Sequence, residues 1–462
     1  MSFSFDFVSS SGHSHGEMDE DPLGLGEDTS SVRQAPLRQE FSTVKAESVP
    51  SRTLALNEIL ASLPDRISYS FVRIPSIASS SSSSSSNMQV NETGHTRTQD
   101  FMPRRDLFDA RFQILHERLD ERETEVGKET AHSRREDVAV VGTESDLVPG
   151  LYEGGLKTWQ CSVDLVGILD SIATRIAAMP AQPSPFVGTE DDPKSIVELG
   201  CGTALPTAYL LQHLLRFHIS RSSDANSKGP IDEQPRPITT HLHLCDYNIK
   251  VLELVTLPNL LLAYRFVKDP QAAQPSPSLS VQAGELDLSS EFVSAFVSDL
   301  RSAGVQLHFH SGPWGGLHLR DNGRVRPASI TAPSTMTTTT TMQVDLILTS
   351  ETTYNLQGVR DLIDVVKRLS RSSPGRLTTS TDGTSPVSEE DFLNLAAAPD
   401  PPTLCLVSTK DYYFGLGGGM MALQQTLHES STSQPAQPRP WTRVLREFKV
   451  GVARTVLCLG WS

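Results

Sequence analysis

Two glycines one residue apart, Gly200 and Gly202, follow the apolar run SIVEL (Ser195 to Leu199). A buried strand that breaks at such a pair and reopens as a helix brings backbone close to a ligand at the strand's C-terminal end. A dinucleotide site wants a third glycine, but in G-C-G-T-A-L that place is held by Leu205. A P-loop wants GK[ST], which is absent here. The residues that follow suit a cationic ligand without phosphate. Glu198 precedes the glycines, and Asp246 ends the next apolar run, LHLCD, where a carboxylate can accept two ribose hydroxyls. SGPWGG, after the third run, places Trp314 where a flat adenine could stack. An aromatic face also suits a sulfonium. Taken in order, these residues point to S-adenosylmethionine as cofactor. Taken singly, Glu198 has a lesser reading as an ion-pair partner and Trp314 as a packing residue.

The elements that must hold such a turn are legible in the alternation of β-branched runs with helical patterns. Strands are predicted at KSIVELG, LHLCD, VQLHFHSG, VDLILTS and TLCLVST, with a last strand or hairpin in KVGVARTVLCLGW. Helices are predicted over 203–217, 249–267 and 357–369. This is an α/β chain: a Rossmann-like, mostly parallel sheet with helices on both faces. The domain is expected over residues 146–462, with biased insertions at about 220–240, 324–342, 371–402 and 430–440.

Residues 1–145 differ in texture. They carry an acidic patch (Glu17 to Asp21) and a serine run (Ser79 to Ser86), and composition predicts mostly disorder. Two islands, SLPDRISYSFVRI and PRRDLFDARFQIL, are expected to dock on the domain surface. The N-terminus lacks the basic and apolar regions of a signal peptide, and no apolar stretch is long enough to span a bilayer. The five cysteines form no CxxC and the His13/His15 pair lies in a biased tail, so no metal site is expected. With a net charge of -15 the chain lacks the basic stripe of a nucleic-acid binder and suits a basic protein partner.

Three further blocks complete a pattern: YEGGLKTWQC (Tyr152 to Cys161), SETTYN (Ser350 to Asn355) and YYFGLGGG (Tyr412 to Gly419). With them the chain resembles the histidine protein methyltransferase 1 family, as a fungal-type member. That family consists of seven-β-strand enzymes related to the family-16 protein lysine methyltransferases. The resemblance runs from Asp146 onward and touches MSFSFDF, LPDRISYS and RRDLFDARFQ. It implies methyl transfer from S-adenosylmethionine to a histidine of large-subunit ribosomal protein three, in cytoplasm and nucleus, with effects on ribosome biogenesis and translation. It implies that Trp159 borders the methionine end of the cofactor, that Asp246 and Asn248 hold the ribose and adenine side, and that Ser350 sits near the methyl group. Glu351 and Tyr354 match the (D/E)xxY pattern of the wider group. The chain departs from the pattern at GCGTALP, where a small residue is usual after GCG, and at Pro313, where an acidic residue is common.

A histidine near its ordinary pKa of about 6.5 is mostly neutral at pH 7, so methylating it requires no strong base. The site needs an oxygen to accept the ring N–H, fix the tautomer and stabilise the imidazolium that forms. Glu351 and Asn355 are the candidates for that role, with Asp164 behind them. Two rivals remain open: a lysine methyltransferase of the same fold, and a non-catalytic chaperone of a ribosomal protein. A monomer is expected.

Overall fold

β4 (Lys194–Leu199) is buried along its whole length. A strand with both faces covered must read as a near-continuous apolar run, and this one lies at the centre of a parallel sheet. It pairs in parallel with β5 (Thr240–Asp246) on one side and β8 (Leu346–Ser350) on the other. β7 (Val305–Ser311) extends the first side and β9 (Leu404–Lys410) the second, both in parallel. An antiparallel hairpin, β10 (Pro440–Phe448) and β11 (Arg454–Trp461), closes that second edge. β1 (Arg52–Leu54) adds an antiparallel strand beyond β7. The order is β1-β7-β5-β4-β8-β9-β11-β10. The chain thus runs outward from β4 to β7, then returns to β8 on the other side. The point of reversal lies at the C-terminal end of β4, where open α/β sheets bind ligands.

The structure is a computed structural model that describes residues 51–75, 101–114, 154–178, 184–190, 192–225, 239–270, 283–317, 319, 344–371, 389–398, 401–433 and 438–461. These fall in one compact unit, Ala46–Ser462. The acidic patch, the serine run, His13 and His15, and most of the low-complexity insertions lie outside the described residues.

Helices cover both faces of the large sheet. In chain order they are α1 (Leu56–Leu60), α2 (Gln160–Ala178), α3 (Leu205–Ala225), α4 (Leu257–Lys268), α5 (Ser290–Ser302), α6 (Leu356–Leu369), α7 (Glu389–Ala396) and α8 (Met420–Ser433). One core joins buried residues of α2, α3, α4 and α5 to the sheet, including Ile168, Leu210, Leu261 and Phe296. The opposite core joins α6 and α8 through Leu362, Val366 and Leu423. α4 is entered through a helical turn, Ile249–Val251, and a π-helical stretch, Leu252–Thr256, just before Pro258. Proline cannot donate to the preceding turn, and the wider turn accommodates it.

Three features differ from the sequence expectation. Residues before 146 supply β1 as well as β2 (Arg66–Arg73) and β3 (Phe101–Arg105), which pair with β6 (Gly284–Asp287) in a second sheet. That sheet packs on α4, with Met102 and Ile67 fully buried. The segment read as an insertion over 371–402 contains α7, whose Phe392 and Leu393 enter the main core. To the seven strands expected, β1 adds an eighth. The common reason is length: three to eight residues give too short a pattern to stand out from a biased background. Among the described residues, no helix is long and apolar enough to cross a membrane.

Candidate active site

The glycine turn folds over the end of β4 as the strand pattern requires. Gly200 and Gly202 take φ of 62° and 51°, the left-handed region that glycine enters without penalty. Space imposes a second constraint: a Cβ on Gly200 would come within 2.4 Å of the Thr352 side chain. The turn's free carbonyls are tied to the helical run across the cleft. Thr256 Oγ1 donates to the Gly202 carbonyl (2.6 Å), and Asn259 Nδ2 to that of Thr203 (2.7 Å).

Around this turn lies a cavity of about 490 Å³. Its walls bring together Trp159, Gly200, Gly202, Asp246, Trp314 and Ser350, all named from the sequence as cofactor residues. Glu351, Tyr354 and Asn355 lie on the same wall. Asp246 Oδ2 accepts the Gly202 amide (2.9 Å) and Oδ1 the Asn248 amide (3.1 Å). These bonds aim the carboxylate at the cleft. Trp314 sits on a short turn held from two sides: Arg368 donates to its carbonyl (2.7 Å), and Ser51 Oγ to that of Pro313 (2.8 Å).

Three sequence candidates are placed elsewhere. Glu198 does not line the cavity. Its Oε2 accepts both the amide and the hydroxyl of Thr207 in the first turn of α3, where a helix offers unpaired N–H groups. Burial pushes its carboxyl up to about 8. Asn248 spends its side chain capping the turn that follows β5, accepting from the Lys250 amide (2.9 Å). Asp164 is buried on α2 and paired with Arg454 Nε (2.5 Å). Burial still raises its pKa despite that partner. Asn248 and Asp164 have their side-chain oxygens engaged by neighbours, and Glu198 has one of its two engaged.

The wall at the far end is built from the SETTYN and YYFGLGGG blocks together. Glu351 has φ of 58°, an unusual conformation for a residue with a side chain. Its amide is held by the Ser408 carbonyl of β9 (3.1 Å). Asn355 Oδ1 caps α6 by accepting the Gly358 amide (2.7 Å), and its backbone bridges to Gly417. Gly418 and Gly419 donate to the carbonyls of Tyr354 (3.2 Å) and Thr353 (2.8 Å). The glycine loop is therefore docked on the SETTYN loop.

Glu351 carries the unusual electrostatics. Its Oε2 accepts the Tyr413 hydroxyl (2.6 Å) and pairs with Lys410 Nζ (3.0 Å). Its Oε1 is buried and takes no hydrogen bond from a nitrogen or oxygen donor, with the Cys161 thiol as its neighbour. The neighbouring Cys161 thiol is pushed well above its usual range, by burial and then by the Glu351 charge. Tyr413 is raised in the same way, so it remains a donor. Lys410 was not singled out from the sequence. Its signal in the sequence is its place between the predicted strand TLCLVST and the aromatic block that begins at Tyr412.

No family model matches the chain. Curated relatives do. The chain is 28% identical to Histidine protein methyltransferase 1 of Saccharomyces cerevisiae, over 77% of this chain and 75% of that one. It is 24% identical to the protein of that name in Schizosaccharomyces pombe, over 84% and 80%. These similarities, over most of the chain, support assigning it to the histidine protein methyltransferase 1 family. It is a methyltransferase. A homologue in Rattus norvegicus is 24% identical over 68% of this chain and 59% of its own. Among solved structures, the methyltransferase domain of bacterial-CtHen1-CN aligns at a TM-score of 0.25 with 10% identity, covering 63% of this chain and 97% of that one. A likeness that low carries no argument here.

The residues fit the cofactor that this family name implies. The two glycines open a space that side chains would fill, Asp246 offers ribose acceptors, and Trp314 offers an aromatic face. Among the described residues, no cluster of His, Cys, Asp or Glu is arranged to hold a metal ion.

Proposed function

We propose that the protein is a protein-histidine N-methyltransferase that uses S-adenosylmethionine, and that its acceptor is a histidine of large-subunit ribosomal protein three. The observation that carries this reading is Glu351, a carboxylate on the cavity wall whose Oε2 is held by Tyr413 and Lys410 while its other oxygen has only the Cys161 thiol nearby. Gly200, Gly202, Asp246, Trp314 and Trp159 would hold the cofactor. When bound, it supplies a methyl group on a sulfonium, which leaves as a neutral sulfide while the ring nitrogen's lone pair forms the new N–C bond.

The protein's part is to orient and exclude. Glu351 Oε1 accepts the N–H of the acceptor imidazole, leaving the lone pair of the other nitrogen facing the methyl group. As the ring becomes a methylimidazolium, the carboxylate stabilises the new charge; the N–H proton then leaves to solvent. No deprotonated amine is needed, so the reaction requires no strong base.

The rim of the cavity suits a protein acceptor. Tyr412, Phe414 and Leu416 of the YYFGLGGG segment, and Leu356 and Met421 at the starts of α6 and α8, are all exposed, Phe414 at 93%. Exposed apolar side chains gathered in one place mark interaction surfaces. A net charge of -15 favours a basic partner. A ribosomal substrate places the enzyme in cytoplasm and nucleus, with a role in ribosome biogenesis.

The test is transfer of labelled methyl from S-adenosylmethionine to purified large-subunit ribosomal proteins, with amino-acid analysis of the product. Methylhistidine on one protein is expected. Glu351→Gln should lower that transfer by about 10- to 100-fold, the worth of one charged hydrogen bond, while cofactor affinity stays unchanged. Methyllysine, or no label at all, would overturn the reading.

A further inference from the structure

The group that engages Glu351 is itself a cation in an aromatic setting. Lys410 Nζ lies 4.8 Å from the ring centre of Trp159 and 5.0 Å from that of Tyr413. It sits 3.0 Å from Glu351 Oε2. Two aromatic faces and a carboxylate around an ammonium are what a protein uses to bind a cationic ligand. Here the chain's own lysine fills that place. Only the ammonium end needs explaining, since an apolar side chain could have packed there equally well.

We infer that Lys410 occupies the cation site beside the acceptor pocket, so that the pocket takes a neutral heteroaromatic ring and rejects an ammonium. The inference rests on the histidine reading above and names what selects that acceptor. Glu351 without a partner would present a full negative charge and attract a protonated lysine side chain. Paired with Lys410 it forms a unit of zero net charge. An incoming ammonium then meets a like charge within a few ångströms, a repulsion that a buried setting screens poorly. Lys157, whose Nζ lies 5.1 Å from the Trp159 ring centre, adds a second positive charge at the same aromatic. A neutral imidazole is unaffected, because it asks of Glu351 only one acceptor oxygen. Oε1 supplies it, while Lys410 and Tyr413 are both spent on Oε2.

Lys410 acts through Glu351 and is therefore a positioning and selecting residue, and its test must separate charge from packing. Lys410→Met keeps the stem and removes the charge; Lys410→Arg keeps the charge. The full chain, saturated with S-adenosylhomocysteine at pH 8, is titrated with 4-methylimidazole and with n-butylammonium, followed by NMR. The wild-type protein should bind 4-methylimidazole and prefer it to n-butylammonium by about tenfold or more. Lys410→Met should erase or invert that preference, and Lys410→Arg should retain it.

A purely structural role would instead weaken both probes together in Lys410→Met and leave their ratio unchanged. That result, or a wild-type protein that binds both probes alike or neither, overturns the inference. The histidine reading fails separately, in the transfer assay with ribosomal proteins, since probe preference does not depend on having the right protein acceptor.

Discussion

At Glu198 and Glu351 the same side chain meets two fates a few ångströms from one cleft. Glu198 is fully enclosed, and one of its oxygens takes both Thr207 donors while the other has none. Its carboxyl is raised to about 8 by burial, against about 4.3 in an unfolded chain. A raised folded pKa means the native state holds the extra proton: this contribution is complete below about 4.3 and is lost as pH rises through about 8. Thermal unfolding of Glu198→Gln, which cannot ionise, should therefore gain on the wild-type protein as pH climbs across that window; parallel curves would refute the assignment. The sequence could not separate these two glutamates. It shows the order of residues along a strand, and so it placed Glu351, Ser350, Trp159 and the glycines on one cavity. It does not show which oxygens neighbours engage, as they do at Glu198 Oε2, Asn248 and Asp164.

The glycine loop shows the same limit for an element. Spacing alone leaves GLGGG open as a flexible loop or as part of a substrate entrance, because it does not reveal what the segment touches. A Cβ on Gly418 would fall 2.0 Å from the Thr353 carbonyl oxygen, whereas one on Gly415 meets nothing within 4 Å. Gly418→Ala should thus undock the loop from SETTYN and lower kcat/KM by about tenfold or more. Gly415→Ala carries only the strain of φ 77°, roughly 1 kcal/mol, and should keep near-normal kinetics. Strands β5 and β7 offer a second element-level prediction. Parallel register stacks His243 on His308 with ring centres 4.4 Å apart, and links His243 to His310 and His241 to His308 by 3.1 Å contacts. Burial lowers His308 and His310 to about 4. Their contribution is present above about 6.5 and lost as pH falls through about 4. The melting temperature should drop over that interval, less steeply in His310→Gln; an identical slope in the variant would count against it. Glu198 works in the opposite sense and offsets part of the fall.

For the molecule as a whole, the sheet was legible and its margins were not. β4 and β9 announce themselves through six consecutive buried residues each, but β2 and β3 alternate weakly inside a polar region and were read only as docking islands. They carry core weight all the same. Met102 is fully buried and Arg105 donates to the Leu254 carbonyl (2.7 Å) while its own amide reaches Asn259 (2.6 Å). Met102→Ala should cost about 2–5 kcal/mol of stability, measured by denaturant unfolding; a loss under about 0.5 kcal/mol would make the second sheet an ornament of the surface.

The pairing of Arg52 with Ser311 has a consequence in time. On the ribosome, β1 emerges long before the strand it will join. At about 5–20 residues per second, some 10–50 s of translation separate the two. Throughout that interval the segment that ends by bracing the Trp314 turn has no partner in its own chain, and the cofactor cleft cannot be completed. A nascent chain of this protein is therefore exposed to whatever binds short unpaired strands, and full cofactor affinity should arise only after β7 has cleared the exit tunnel.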